Sequence, residues 1–223
     1  MPAIIRVIHA RMTLPFTRDQ FFEVFASYNE SLFPFAVALW LASFAALVCV
    51  LRGQCRQRFI NGLLVTHWLW AAIGYHIAFF SRINPAAWLF GGLFLIQALL
   101  FVWYGVIGER LSYSSGRSLR HLFSRGLIAY ALIYPAIGWL EGFSFPRIPT
   151  FGIPCPTTIL TIGLLLAADG PLPRGLTGIP IVWAFIGGSA AFLLGVHADL
   201  MLLAAGVSML VYTAWTPRGY QAR

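Results

Sequence analysis

Seven long apolar stretches constrain this chain more than any other feature. They cover about residues 31–51, 60–80, 86–107, 122–140, 156–168, 179–194 and 199–215. About 20 apolar residues cross the hydrocarbon core of a bilayer as a helix. In lipid, only a helix or a closed barrel satisfies its own backbone. The pattern therefore predicts an all-α fold, a polytopic transmembrane helix bundle of about seven spans. The fifth and seventh stretches are short, so one of them is expected to be re-entrant or to sit where the bilayer thins. Only 10% of the residues are charged, and mean hydropathy is +0.78. These values belong to a multi-pass membrane protein.

The N-terminal region reads differently. Thr17-Arg-Asp-Gln20 is a capping-box pattern, and Phe21, Phe22, Val24 and Phe25 follow it. This predicts a short amphipathic helix at the membrane interface, or a helix packed on the end of the bundle. The expected organisation is an N-terminal segment over 1–30, one helical domain over 31–215 and a cytoplasmic tail over 216–223. The first 30 residues lack a continuous apolar core, which predicts no cleavable signal peptide. Met12 offers an alternative start.

All 15 basic residues are arginine. Without lysine, no Schiff base with retinal or pyridoxal can form, and no lysine can act as base or nucleophile. With seven crossings, Arg52, Arg56, Arg58, Arg110, Arg117, Arg120, Arg125, Arg174, Arg218 and Arg223 share one side. Arg6, Arg11, Arg18, Arg82 and Arg147 share the other. Arginine excess marks the cytoplasmic side, so the N-terminus is expected outside and the C-terminus in the cytoplasm. The net charge of +8 suits anionic lipid. No basic aromatic module suggests nucleic acid.

Chemistry-bearing residues crowd at 149–161, Pro-Thr-Phe-Gly-Ile-Pro-Cys-Pro-Thr-Thr-Ile-Leu-Thr. Proline fits the first turn of a helix, so Pro156 is expected to open a helix with Cys155 as its cap. The positive end of the helix would then favour a thiolate. Thr158 and Thr161 follow on roughly one side. They either offer hydroxyls to a ligand or bond their own helix carbonyls. Cys155, Thr158, Thr161, His76 and Glu141 are the candidate ligand-binding residues, and no residue is singled out as catalytic. Cys155, His76, Glu141 and His197 all fall on the expected outer side. Mixed thiol, imidazole and carboxylate ligands would suit a transition metal such as zinc or copper. Glu141 could instead pair with Arg147 in the loop.

His67 lies nine residues before His76, half a revolution around an α-helix, so the two cannot face one site. His67 is expected to be a satisfied packing histidine, with Gln97 or a backbone carbonyl as partner. Cys49 and Cys55 show no metal spacing. The chain has no HExxH, no GxSxG triad, no phosphate-binding glycine loop and no mid-membrane acid.

Four segments together carry a resemblance: Leu14-Pro-Phe-Thr-Arg-Asp-Gln-Phe-Phe22, Arg82-Ile-Asn-Pro-Ala-Ala-Trp88, Thr150-Phe-Gly-Ile-Pro-Cys-Pro-Thr-Thr158 and Gly188-Ser-Ala-Ala-Phe-Leu-Leu-Gly195. They are similar to an uncharacterised family of bacterial multi-pass integral membrane proteins. The resemblance implies a bacterial inner (cytoplasmic) membrane location and transfers no catalytic residue.

Three functions remain open. The first is binding or transport of a small solute or metal ion through an outer-side pocket near the Cys-Pro motif. The second is a non-catalytic accessory subunit or assembly factor, with a protein partner or a second copy beside it. The third is a membrane-embedded redox or transferase enzyme using Cys155. The balance favours a protein that is not an enzyme.

Overall fold

The computed structural model describes residues 14–54 and 56–216. Among these, helices account for almost all regular structure. We number them α1 (Arg18–Arg52), α2 (Gln57–Trp70), α3 (Ala87–Phe101), α4 (Leu119–Leu140), α5 (Pro154–Ala167), α6 (Arg174–Leu194) and α7 (Leu200–Trp215). Two of them run on into π-helical turns, α2 through Ala71–Ile77 and α3 through Val102–Ile107. The expected Met12 start and Cys55 lie outside the described residues.

Six helical stretches are long and apolar enough to cross a membrane; α5 is the exception. At 1.5 Å per residue its 14 residues rise about 21 Å, against a hydrocarbon core of about 30 Å. Among the described residues seven helices form; the seventh, expected to be short, reaches 19 residues with its preceding turn, and of the seven only α5 is short. Its role is central all the same. Every residue of α5 except Cys155 is buried. The helix lies between α4, α6, α7 and α2.

The chain before α5 explains why α5 can be short. Thr150, Phe151, Gly152 and Ile153 are non-helical yet buried. Irregular backbone is tolerated at depth only where protein satisfies it, and here α1 does so. Tyr28 Oη donates to Phe151 O at 2.8 Å. Asn29 Nδ2 donates to Pro146 O and Ile148 O, and Asn29 Oδ1 accepts from Thr150. Gly152 has φ +83°, and a Cβ there would meet Tyr28 Oη at 2.5 Å, so only glycine fits under α1. The expected opening at Pro156 is also corrected. Ile153 is the N-cap and Pro154 occupies the first helical turn. Both prolines fall where an N–H would have no intrahelical partner.

Of the two readings of the N-terminal segment, the one packed on the end of the bundle matches the structure. Among the described residues, no separate interfacial helix precedes α1. The capping box at Thr17 is formed, but the helix it starts continues unbroken for 35 residues to Arg52. Phe21, Phe22, Phe25, Tyr28 and Asn29 are buried against the coil before α5 and the turns after α2. The phenylalanine-rich stretch is thus the packed upper end of α1, and the proposed boundary at residue 30 falls inside one helix.

We call the end holding Thr17 and Glu141 the upper end. At the lower end, Arg120 donates to Ala168 O, Asp169 N–H bonds Ser112 O, and Tyr113 pairs with Ala168 in an isolated bridge. Arg58 and Glu109 form an exposed ion pair at 2.7 Å.

Candidate ligand-binding cavity

Along the middle of the bundle, most buried polar groups are matched to partners; Gln97 Oε1 is an exception. His67 Nε2 lies 2.9 Å from Ser43 Oγ, whose own proton goes to Leu39 O. Nε2 therefore carries the ring proton, and Nδ1 accepts from Thr157 Oγ1 at 3.4 Å. Trp68 Nε1 donates to Thr161 Oγ1 at 2.9 Å. Asn61 bonds Gly105 O and accepts from Tyr113. Gln97 donates to Leu176 O, so the expected His67–Gln97 contact is replaced by bonds to α1 and α5.

The upper end is built otherwise. A cavity of about 330 Å³ lies between the start of α5, the π-helical turn of α2, the upper part of α1 and the last turns of α6. Phe16, Phe21, Phe25, Phe80 and Phe90 form much of its wall. His76 and Cys155, both picked from sequence, line it together, and Asp199 and Trp183 join them. Cys155 is the one residue of α5 left part-exposed, because its side faces this space. Asp199, just before α7, accepts from Tyr134 Oη, and the Cys155 thiol lies beside its carboxyl group.

His76 is the unusual member. It is fully buried, with neither ring nitrogen hydrogen-bonded to protein. Its neighbours are rings: Phe94 at 4.8 Å, Trp183 at 5.1 Å edge-on, Phe90 at 5.8 Å. Trp183 Nε1 is likewise buried without a hydrogen bond of ordinary geometry, with the Cys155 thiol as polar neighbour. Leaving a buried donor or acceptor unmatched costs about 1–3 kcal/mol, and native proteins contain few. The π-helical turn that carries His76 is of a kind that often marks functional positions.

The other sequence candidates lie elsewhere. Thr158 and Thr161 are buried inside the bundle and donate to Pro154 O and Thr157 O, their own helix carbonyls. His197 is exposed in a 3₁₀ turn, away from the cavity lining. Glu141 ends α4 outside the lining, and its Oε2 is buried without a partner. The expected Glu141–Arg147 pair does not form. Arg147 reaches Glu23 instead, at 2.7 Å. Among the described residues, no group of three or more His, Cys, Asp and Glu side chains is placed to hold a metal ion. Cys155, His76, Glu141 and His197 therefore do not make a shared ligand set.

Sequence reasoning missed Asp199 and Trp183. Asp199 was legible as an acid flanked by apolar stretches. Trp183 carried no signal, because a tryptophan inside a span reads as packing.

The model for the Family of unknown function (DUF6064) matches residues 18–222. The chain belongs to that family. The match runs from the first residue of α1 past the end of α7, so the whole bundle, including the coil before α5, lies within the shared unit. No curated protein and no solved structure matches the chain.

Proposed function

We propose that this DUF6064 member is a multi-pass protein of the bacterial inner membrane that binds a small, mostly apolar molecule in the upper cavity. The observation that carries this reading is His76: a buried imidazole with two unpartnered nitrogens, set in the wall of a space large enough for a ligand. Pockets for small molecules are mostly apolar with a few placed polar groups. Here His76, Trp183, Cys155 and Asp199 are those groups, and the phenylalanines supply the apolar wall. The positive-inside rule supports a cytoplasmic lower end. Arg52, Arg56, Arg58, Arg110, Arg117, Arg120, Arg125 and Arg174 gather there, against Arg18, Arg82 and Arg147 above.

The test uses His67 as an internal control. Protein labelled with ¹⁵N-histidine is placed in lipid nanodiscs and titrated with hexanol, and His76→Phe assigns the His76 signals. The expected outcome is a saturable shift of the His76 ring nitrogens with the His67 signals still. If His76 does not respond, or both histidines respond alike, the binding reading is wrong.

A further inference from the structure

Resting on that reading, we infer that the ligand is a long-chain molecule with an uncharged hydroxyl head. It enters from the lipid side, with its head at His76 and its chain in the groove between α3 and α6. Three observations lead there.

The first is where the cavity opens. Ile186, Ser189 and Leu193 line it, and all three are exposed on α6. They fall at i, i+3 and i+7, one face of the helix. In a membrane bundle that exposed apolar face meets acyl chains, so the opening faces lipid. A molecule dissolved in the bilayer reaches it without passing through water.

The second is a neighbouring space. A groove of about 300 Å³ runs between α3 and α6, lined by Leu93, Phe94, Leu100, Gly175, Gly178 and Val182. Trp183 and Ile186 line both groove and cavity, so the two adjoin across those side chains. From Trp183 back to Gly175 the helix rises about 12 Å. A Cβ on Gly178 would meet nothing within 4 Å. This is an open, mostly apolar track leading from the cavity, with Arg174 at its far end, and a hydrocarbon chain suits it.

The third is the chemistry of the head. Neutral His76 offers one donor and one acceptor, and Trp183 offers a donor. A hydroxyl both donates and accepts, so it can match either kind of group. A ketone accepts only, and would leave the acceptor nitrogen of His76 bare. A carboxylate would face Asp199 in the same cavity.

The experiment is photolabelling in nanodiscs with a long-chain primary alcohol carrying a mid-chain diazirine, with labelled peptides mapped by mass spectrometry. Label is expected on the facing parts of α3 and α6. Tetradecanol should compete at least about tenfold better than tetradecane or tetradecanoate, a difference of about 1.4 kcal/mol. His76→Phe should erase that preference. Gly178→Leu fills the groove and should weaken tetradecanol about tenfold, the loss of roughly two buried methylenes. The hexanol response at His76 should survive in that variant, which also shows that the protein is folded. A retained hexanol response with no effect of Gly178→Leu overturns the chain assignment and leaves the binding reading standing. Better competition by tetradecanoate overturns the head assignment. Label spread evenly over all lipid-facing helices overturns the site. Loss of every hexanol effect in the wild type removes both readings together.

Discussion

His67 and His76 sit on one continuous helical stretch, nine residues apart, both fully buried, and their surroundings are opposites. His67 is locked between α1 and α5 by two hydroxyls that fix its tautomer. His76 is enclosed by rings and bonded to nothing in the protein. The same contrast holds for their tryptophans, Trp68 bonded to Thr161 and Trp183 without a bond of ordinary geometry. The middle of the bundle is closely packed, while the upper end keeps a cavity with unmatched polar groups in its wall. Polarity alone does not distinguish the two ends; what does is a pair of unpartnered rings, His76 and Trp183, on the wall of one cavity.

The contrast can be broken by substitution, and the largest effect belongs to the packed middle. A Cβ on Gly163 would sit 2.8 Å from Ile128 Cγ1 and 3.1 Å from both Ile128 N and Ser124 O, which is backbone that cannot yield. Gly163→Val is expected to cost about 3 kcal/mol or more, read as a lowered unfolding midpoint in detergent. A variant as stable as the wild type would mean that α4 and α5 are not closely packed.

Next comes the matched pair of histidines. His67→Phe leaves the Thr157 hydroxyl without its acceptor, while Ser43 keeps Leu39 O, and should destabilise by about 1–3 kcal/mol. His76→Phe puts one more ring among rings and removes two unmatched nitrogens. It should be neutral, or stabilising by up to about 1 kcal/mol, without ligand. Equal losses at the two positions would erase the distinction between them.

The smallest effect belongs to the surface. Glu23 and Arg147 are each at least half exposed. Arg147→Ala should cost under about 1 kcal/mol, and less in high salt. A larger loss would show that the upper end depends on charge as well as on packing.

How much of this was legible follows from the range of each interaction. Spans reveal themselves because hydropathy is a local sum, so the apolar stretches lie close to the helices that form. Cys155 and His76 were legible as chemistry-bearing residues at similar depth. The bounds of α1 were not, since Asn29, Glu30 and Ser31 read as a break. In the fold Asn29 is a buried clamp on residues 146–150, a partner more than 100 positions away. Arg147 illustrates the same limit: Glu141 is near in sequence, yet the pair forms with Glu23. That His76 has no partner is a property of every element around it, so no local pattern could announce it.

The coil held under α1 has a consequence for how the chain is made. A translocon reading residues 150–168 in isolation meets a short apolar run begun by prolines and a glycine, below the length that commits a segment to the bilayer. The groups that make this stretch acceptable to lipid, Tyr28 and Asn29, were synthesised more than 100 residues earlier. The segment around α5 is therefore not independent of the first helix. The central helix gains these partners only once the first helix is in place beside it, and its packing inherits the order in which the bundle is bonded.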